Sequence, residues 1–389
     1  HARDAERCAS AGRSRFSPMS SARAANYTVE MLRRIDSPEE LAAQWRRLPQ
    51  FAQEFTQSVD WTLVAAERLY GADALRVVQA RENDEVIALA PLGVTSGGGV
   101  ERLEILGATT LFEPCGFAYR DPDALLRLCR AVIDLGRPLV LQRIPADGAL
   151  LQTFKSLARG RGQLLEFKAS GAPFVEITSS WEEYSQSLSS RRRQDYRRAR
   201  RSLERAGTVE IEIRSAAAAE VEPAMTEAMR VEAASWKGRG GSAMLTNARL
   251  GGFFLQLAQR LARQGQLRLC FLRLDGTAIA MQIGVVHAGR WWVLKIGYDE
   301  RWAEHSPGIQ LMWEVLRTAF EERLSSFEML GSAEPWLSIW TRQQRAYRTL
   351  AFYPYNGRGM VALGADIMRA FAQRLRAPVK TRSGPAARQ

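Results

Sequence analysis

Residues 75–94, LRVVQARENDEVIALAPLGV, can be laid without a gap on residues 267–286, LRLCFLRLDGTAIAMQIGVV. Leu75/Leu267, Arg76/Arg268, Arg81/Arg273, Ile87/Ile279 and Ala88/Ala280 are identical across the offset of 192 positions. Each stretch reads as a strand, a tight polar turn and a second strand; in the later copy the turn is Asp275-Gly276, a strong hairpin signal. The shared order outlasts the identities. A glycine-containing turn (Ser96 to Gly99; Ala288 to Arg290) leads to a third strand closed by Gly107 or Gly297. An irregular loop, an amphipathic helix (about 122–134; about 307–322) and a short apolar strand (138–144; 326–330) follow. Two β-β-β-α-β units predict an α+β protein of two tandem domains, each a mixed, mainly antiparallel sheet flanked by helices.

The pattern is interrupted by small and turn-forming residues at SGAPFVEITSS (170–180), so the expected domains are 27–174 and 175–362. Residues 363–389 read as a C-terminal helix followed by a disordered basic tail. Residues 1–26, rich in Arg, Ala and Ser without an apolar h-region, read as disordered or foreign to the native chain. After the boundary, residues 181–207, WEEYSQSLSSRRRQDYRRARRSLERAG, read as one helix ended by Gly207.

Composition narrows the function classes. No run of 18 apolar residues is present, so no membrane-spanning helix is expected. Cys8, Cys115, Cys129 and Cys270 have no metal-ligand spacing and read as reduced thiols of a cytoplasmic protein. The only histidines are His1, His287 and His305, so no metal site is expected. The net charge of +12 predicts attraction to polyanions.

Ser306-Pro307-Gly308 has the order of an N-cap followed by a first-turn proline. Ile309, Met312, Val315, Leu316, Ala319 and Phe320 then give a helical apolar stripe. The first amides of such a helix, on Gly308 and Ile309, lack intrahelical partners, the helix dipole adds positive charge there, and Gly308 has no Cβ to hold a ligand off. Ser306, Pro307, Gly308 and Ile309 therefore suit a phosphate or pyrophosphate. The matching helix of the first unit begins RDPDALL, where Asp121 and Asp123 would repel an anion.

Four segments, SSRRRQDYRRARRSLE (189–204), EAASWKGRGGSAM (232–244), LKIGYDERWAEHSPG (294–308) and FEMLGSAEPWLSIW (327–340), together resemble the GNAT acyltransferase superfamily. The resemblance is to its branch of CelD-like cellulose- and exopolysaccharide-biosynthesis proteins, a branch similar to the Fem-type aminoacyltransferases. It covers about residues 40–355. It implies tandem GNAT-like domains, a degenerate first and a catalytic second. It also implies transfer from an acyl-CoA co-substrate, acetyl-CoA above all, to an amine or hydroxyl of a small-molecule or glycan acceptor, with the pyrophosphate on the Ser306 helix.

Such a transfer needs a general base and a donor for the developing oxyanion, but no covalent intermediate. Glu232 and Asp299 are the base candidates and Tyr298 a candidate acid. Trp236, Lys237 and Lys295 are candidates for holding the acceptor, with Lys295 on the strand face opposite Ile296. Trp336 and Trp340 read as core. Residues 191–205 carry eight arginines against Asp195 and Glu204, with Leu188, Tyr196, Ala199 and Leu203 on one face. This segment, Arg193 included, reads either as a solvated face or as a docking surface for CoA phosphates, an anionic polymer or tRNA. Two alternatives stand beside the acyl-CoA enzyme: a Fem-like transferase using aminoacyl-tRNA, and a non-catalytic protein binding RNA or anionic glycan.

Overall fold

The computed structural model describes residues 27–376 apart from Ala72, Gly98 and residues 236–242. It is a mixed α+β structure with three sheets. Strands β1 (Tyr27–Leu32), β2 (Val77–Glu82), β3 (Glu85–Ala90) and β6 (Ala118–Tyr119) form an antiparallel sheet in the order β1-β2-β3-β6. The second sheet joins β4 (Leu92–Gly97), β5 (Val100–Ile105), β7 (Leu139–Pro145), β16 (Tyr347–Pro354) and β8 (Gly162–Lys168) in that order. The third runs β10 (Val209–Arg214), β11 (Leu267–Leu274), β12 (Thr277–His287), β13 (Arg290–Tyr298), β14 (Ser326–Glu328), β9 (Ala172–Glu176) and β15 (Gln344–Arg345). Each of the two larger sheets has one parallel pair, β5 with β7 and β13 with β14.

The repeat is visible as the hairpins β2–β3 and β11–β12. Their turn residues Asn83, Asp84, Asp275 and Gly276 all have positive φ, the geometry that matches the twist of two-residue hairpins. The copies differ in their second strand. It is continuous in β12, whereas in the first copy Pro91, which has no N–H for a ladder, separates β3 from β4, and the two pieces join different sheets. Sheet membership also departs from chain order elsewhere: β16 pairs with β7 and β8, and β9 pairs with β14 and β15.

The two halves share a core. Phe55 and Trp61 pack with Phe253 of the helix Ala248–Arg263, the Trp61 and Phe253 rings meeting edge to face at 5.1 Å. Each large apolar side chain buried this way stabilises the contact by roughly 2–3 kcal/mol.

The expected single helix at 181–207 is two helices, Trp181–Ser187 and Ser190–Glu204. Leu188 and Ser189 are extended between them, and the Ser189 side chain accepts from Arg192 N, capping a new helix. Arg193 donates to the carbonyls of Ser185, Gln186 and Leu188, the last with a short bond, and so satisfies the end of the first helix. Tyr196 stacks on Trp313 at 4.3 Å, with the two rings 15° apart, and its hydroxyl bonds Glu314, fastening the basic helix to the helix Pro307–Glu321.

Candidate active site

Strands β13 and β14 pair only over Arg290–Trp292 and Ser326–Glu328. Beyond those residues they diverge, and a cleft of about 810 Å³ opens between Val293–Tyr298 on one side and Met329–Ser332 on the other. A register shift in the β12–β13 ladder pairs Ile283 with Lys295 and Gly284 with Val293, which leaves Leu294 as the extra residue of a bulge in the cleft wall. Gln282, buried at 1% exposure, also lines the cleft, and its Nε2 has no hydrogen-bond partner among the described residues.

One end of the cleft is the start of the helix Pro307–Glu321, where Ser306, Gly308 and Ile309 line the wall. Ser306 stands at the cap position in the left-handed region (φ 50, ψ 50), and its side chain makes no cap bond. This corrects the expectation of a serine side-chain cap. Its carbonyl instead accepts from Ile309 N and Gln310 N, both at 3.1 Å. The Ile309 amide is therefore engaged, contrary to expectation, while the Gly308 amide has no partner among the described residues. A Cβ on residue 308 would lie 3.3 Å from Cδ1 of Tyr298, so glycine lets the tyrosine lie against the helix start. In the first half, Asp121 Oδ1 accepts from Ala124 N at 2.9 Å; that bond, then Arg120, holds its carboxyl below the usual range, so a carboxylate already occupies that helix start.

Of the remaining expected site residues, Tyr298 and Lys295 line the cleft. Lys295 Nζ sits 4.8 Å above the Phe254 ring, on the face of β13 away from the Pro307 helix. Glu232 does not line the cleft. It is fully buried, Oε2 accepts from Met244 N at 2.9 Å, and its helix Val221–Ala233 crosses β13 so closely that a Cβ on residue 297 would lie 2.8 Å from Glu232 Cα. Asp299 does not line it either. Arg301 holds both its oxygens, with Nη2 to Oδ2 at 2.6 Å, and keeps its carboxyl below the usual range, which makes it a poor base. Trp236 and Lys237 lie outside the described residues. Trp340 is buried, but Trp336, expected in the core, is 38% exposed and lines the cleft. Arg193 is occupied as described above. His305 Nδ1 lies 3.1 Å from Ser202 Oγ, which places the basic helix beside the Ser306 turn.

The sequence reading missed Glu113. The short helix Ala108–Leu111 ends at Phe112 in the left-handed region (φ 57), and the next residue turns its carboxylate into the cleft from the first half of the chain. Glu113 Oε2 accepts from Gly331 N at 3.0 Å, and the Gly331 carbonyl accepts from Arg143 Nη2 at 2.5 Å. Arg143, fully buried on β7 with φ 52, also donates a short bond to the Phe112 carbonyl and lies 3.8 Å from Glu113 Oε2. Burial pushes the Glu113 carboxyl up to about 7, against the opposing pull of the Gly331 amide, Arg143 and Lys295. The available signal was a glutamate in an irregular loop following Gly107; nothing local marked it as part of the other half's cleft.

Residues 190–337 match the acetyltransferase (GNAT) domain family. Among solved structures, FemX aligns with a TM-score of 0.55 at 12% identity, over 86% of this chain and 100% of that one. The C-terminal domain of a putative lysylphosphatidylglycerol synthetase from Agrobacterium fabrum aligns at 0.51 and 14% identity, over 86% and 96%. A conserved protein of unknown function from Bacteroides thetaiotaomicron aligns at 0.54 and 10% identity, over 84% and 99%. No curated protein sequence matches. At these identities the likeness is one of fold: a GNAT acetyltransferase fold with Fem-like and lysylphosphatidylglycerol-synthetase-like neighbours. Among the described residues no cluster of three or more His, Cys, Asp or Glu side chains is placed to hold a metal ion, and no helix is long and apolar enough to cross a membrane.

Proposed function

We propose that the chain is an acyltransferase that takes its acyl group from an acyl-CoA, acetyl-CoA in the first instance, and passes it to a nucleophile on a small-molecule or glycan acceptor. The observation that carries this reading is the Gly308 amide, without a partner among the described residues, at the start of a fifteen-residue helix that opens into the cleft between β13 and β14. A pyrophosphate against that amide gains a charge-assisted hydrogen bond and the favourable end of the helix dipole. The thioester then extends along β13, where the bulge at Leu294 frees main-chain groups from the ladder to polarise its carbonyl. Tyr298, whose ring packs against residue 308, borders the phosphate end of the cleft. A cell-envelope glycan as acceptor rests on the CelD-like resemblance, and division into domains at 27–174 and 175–362 rests on the repeat and its interruption at 170–180.

A second reading, an aminoacyl-tRNA donor, is favoured by the fold likeness to FemX and by the exposed Arg197, Arg198 and Arg201 on the basic helix. Calorimetry with CoA and with tRNA separates the two. CoA binding that is kept in Gly308→Ala and weakened on the order of ten- to a hundredfold in Gly308→Asp supports the first. The alanine variant controls for the Tyr298 contact. Binding of tRNA without CoA, or equal CoA affinity in parent and Gly308→Asp, overturns it.

A further inference from the structure

We infer that Glu113, delivered by the first half of the chain into the cleft of the second, takes the proton from the acceptor nucleophile. The inference rests on the acyltransferase reading.

Only one of the two carboxylate oxygens is used by the fold. Oε2 holds the Gly331 amide and faces Arg143, whereas Oε1 has no partner among the described residues. The side chain keeps 15% of its surface open, and it lines the cleft. The charged groups facing it are Arg143 from β7 and Lys295 from β13, and the Arg143 guanidinium lies 5.2 Å from the ring of Tyr347 on β16. Three residues other than glycine, Phe112, Arg143 and Leu330, hold left-handed backbone around this carboxylate. Such conformations cost on the order of 1–3 kcal/mol each. Three of them around one carboxylate indicate a group fixed in position for a purpose other than packing.

For an amine acceptor the step is within reach of this base. Ammonium groups release their proton between about pH 8 and pH 10, about one to three units above a carboxyl that titrates at about 7, so proton transfer between them is modestly uphill. The open carboxylate also gives a cationic amine its counter-charge in a cleft lined largely by apolar side chains. In the reaction, Glu113 accepts one proton from the ammonium and the free amine attacks the thioester carbonyl. The C–N bond forms as the C–S bond breaks. The second nitrogen proton neutralises the leaving thiolate, and Glu113 releases its own proton to water.

The test uses the full chain with acetyl-CoA, a panel of primary amines that includes amino sugars, and the matching hydroxyl sugars. In Glu113→Gln, which can still accept the Gly331 amide, kcat/KM for amines should fall roughly a hundredfold or more, and the acid limb of the pH profile near 7 should vanish. CoA affinity by calorimetry should stay within twofold. Glu113→Asp should restore part of the rate and the acid limb. An unchanged rate and acid limb in Glu113→Gln, with CoA still bound, overturns the inference while leaving the acyl-CoA reading in place. Absence of CoA binding in the parent protein strikes the acyl-CoA reading itself.

Discussion

Glu113 Oε2 lies 3.0 Å from the amide nitrogen of Gly331, a residue 218 positions later in the chain. Gly331 follows β14 on the outer wall of the cleft, and with Leu330 it has positive φ, so the strand end is bent away from β13. Its carbonyl is held by Arg143 of β7. Both polar groups of this one residue are thus fastened to the first half of the chain, at the point where the second half's sheet opens. The first half completes the cleft and supplies it with Glu113, a carboxylate with an open oxygen and a raised titration point.

The raised Glu113 carboxyl predicts a pH dependence of stability that can be read without any substrate. A carboxyl that titrates at 4.5 when unfolded and about 7 when folded binds more protons in the folded state across that interval. Stability is therefore full below about 4.5 and is lost as pH rises through about 7, by roughly 3 kcal/mol in all. Urea unfolding at pH 5 and pH 8 should show the parent losing stability relative to Glu113→Gln. Parallel behaviour of the two proteins would mean that the carboxyl titrates normally.

Arg143→Met should be among the most damaging substitutions outside the apolar core. The guanidinium is fully buried, and without it the Phe112 and Gly331 carbonyls lose a donor while Glu113 loses its nearest positive charge. A cost of about 3–5 kcal/mol is expected. In protein that still folds, removal of the cation raises the Glu113 carboxyl further, so the acid limb of activity should move to higher pH. Thermal melting and a pH profile check both statements, and a limb that moved to lower pH would contradict the assignment.

Much of this architecture was legible in the sequence because it is written locally. The Asp275-Gly276 turn, the Pro307 helix start and the strand alternation of RWWVLKIGY each depend on residues within a few positions of one another. Pro91 was legible in principle, since it stands opposite Ile283 in the repeat, where β12 runs on. What could not be read was set by contacts across the chain. Glu113 has no local pattern to mark it, and its setting arises only when β7 and the end of β14 meet. Glu232 and Asp299 had the right chemistry near the right strand. One is buried beneath β13 and the other is held by Arg301, and neither outcome is encoded by spacing alone.

The two helices around Ser189 separate structural from surface arginines. Arg193→Ala removes the donor for three carbonyls at the end of the helix Trp181–Ser187 and should destabilise by about 1–2 kcal/mol. Arg197→Ala and Arg198→Ala remove exposed charges and should leave melting unchanged within about 0.5 kcal/mol. If the helix docks a polyanion, the latter pair should weaken that binding strongly at low salt and little at high salt. Equal melting of all three variants would show that Arg193 does not hold the helix end.

Asp299→Asn tests whether the carboxylate nearest the end of β13 does chemistry. Asp299 Oδ1 accepts from Arg301 N at 3.0 Å, a bond an asparagine oxygen can keep, while the ion pair with the guanidinium is lost. Because the Arg301 side chain is 83% exposed, that pair is screened by water and should contribute no more than about 1 kcal/mol. The Arg301 hydrogen bond lowers the Asp299 carboxyl. The stabilisation is therefore present above its unfolded value of 3.8 and fades only as pH falls below that. Near neutral pH the variant should melt slightly lower than the parent, the difference should disappear at acid pH, and kcat/KM should stay within about threefold. A hundredfold fall in kcat/KM with unchanged CoA affinity would instead make Asp299 the proton acceptor and leave Glu113 as a structural clamp on Gly331.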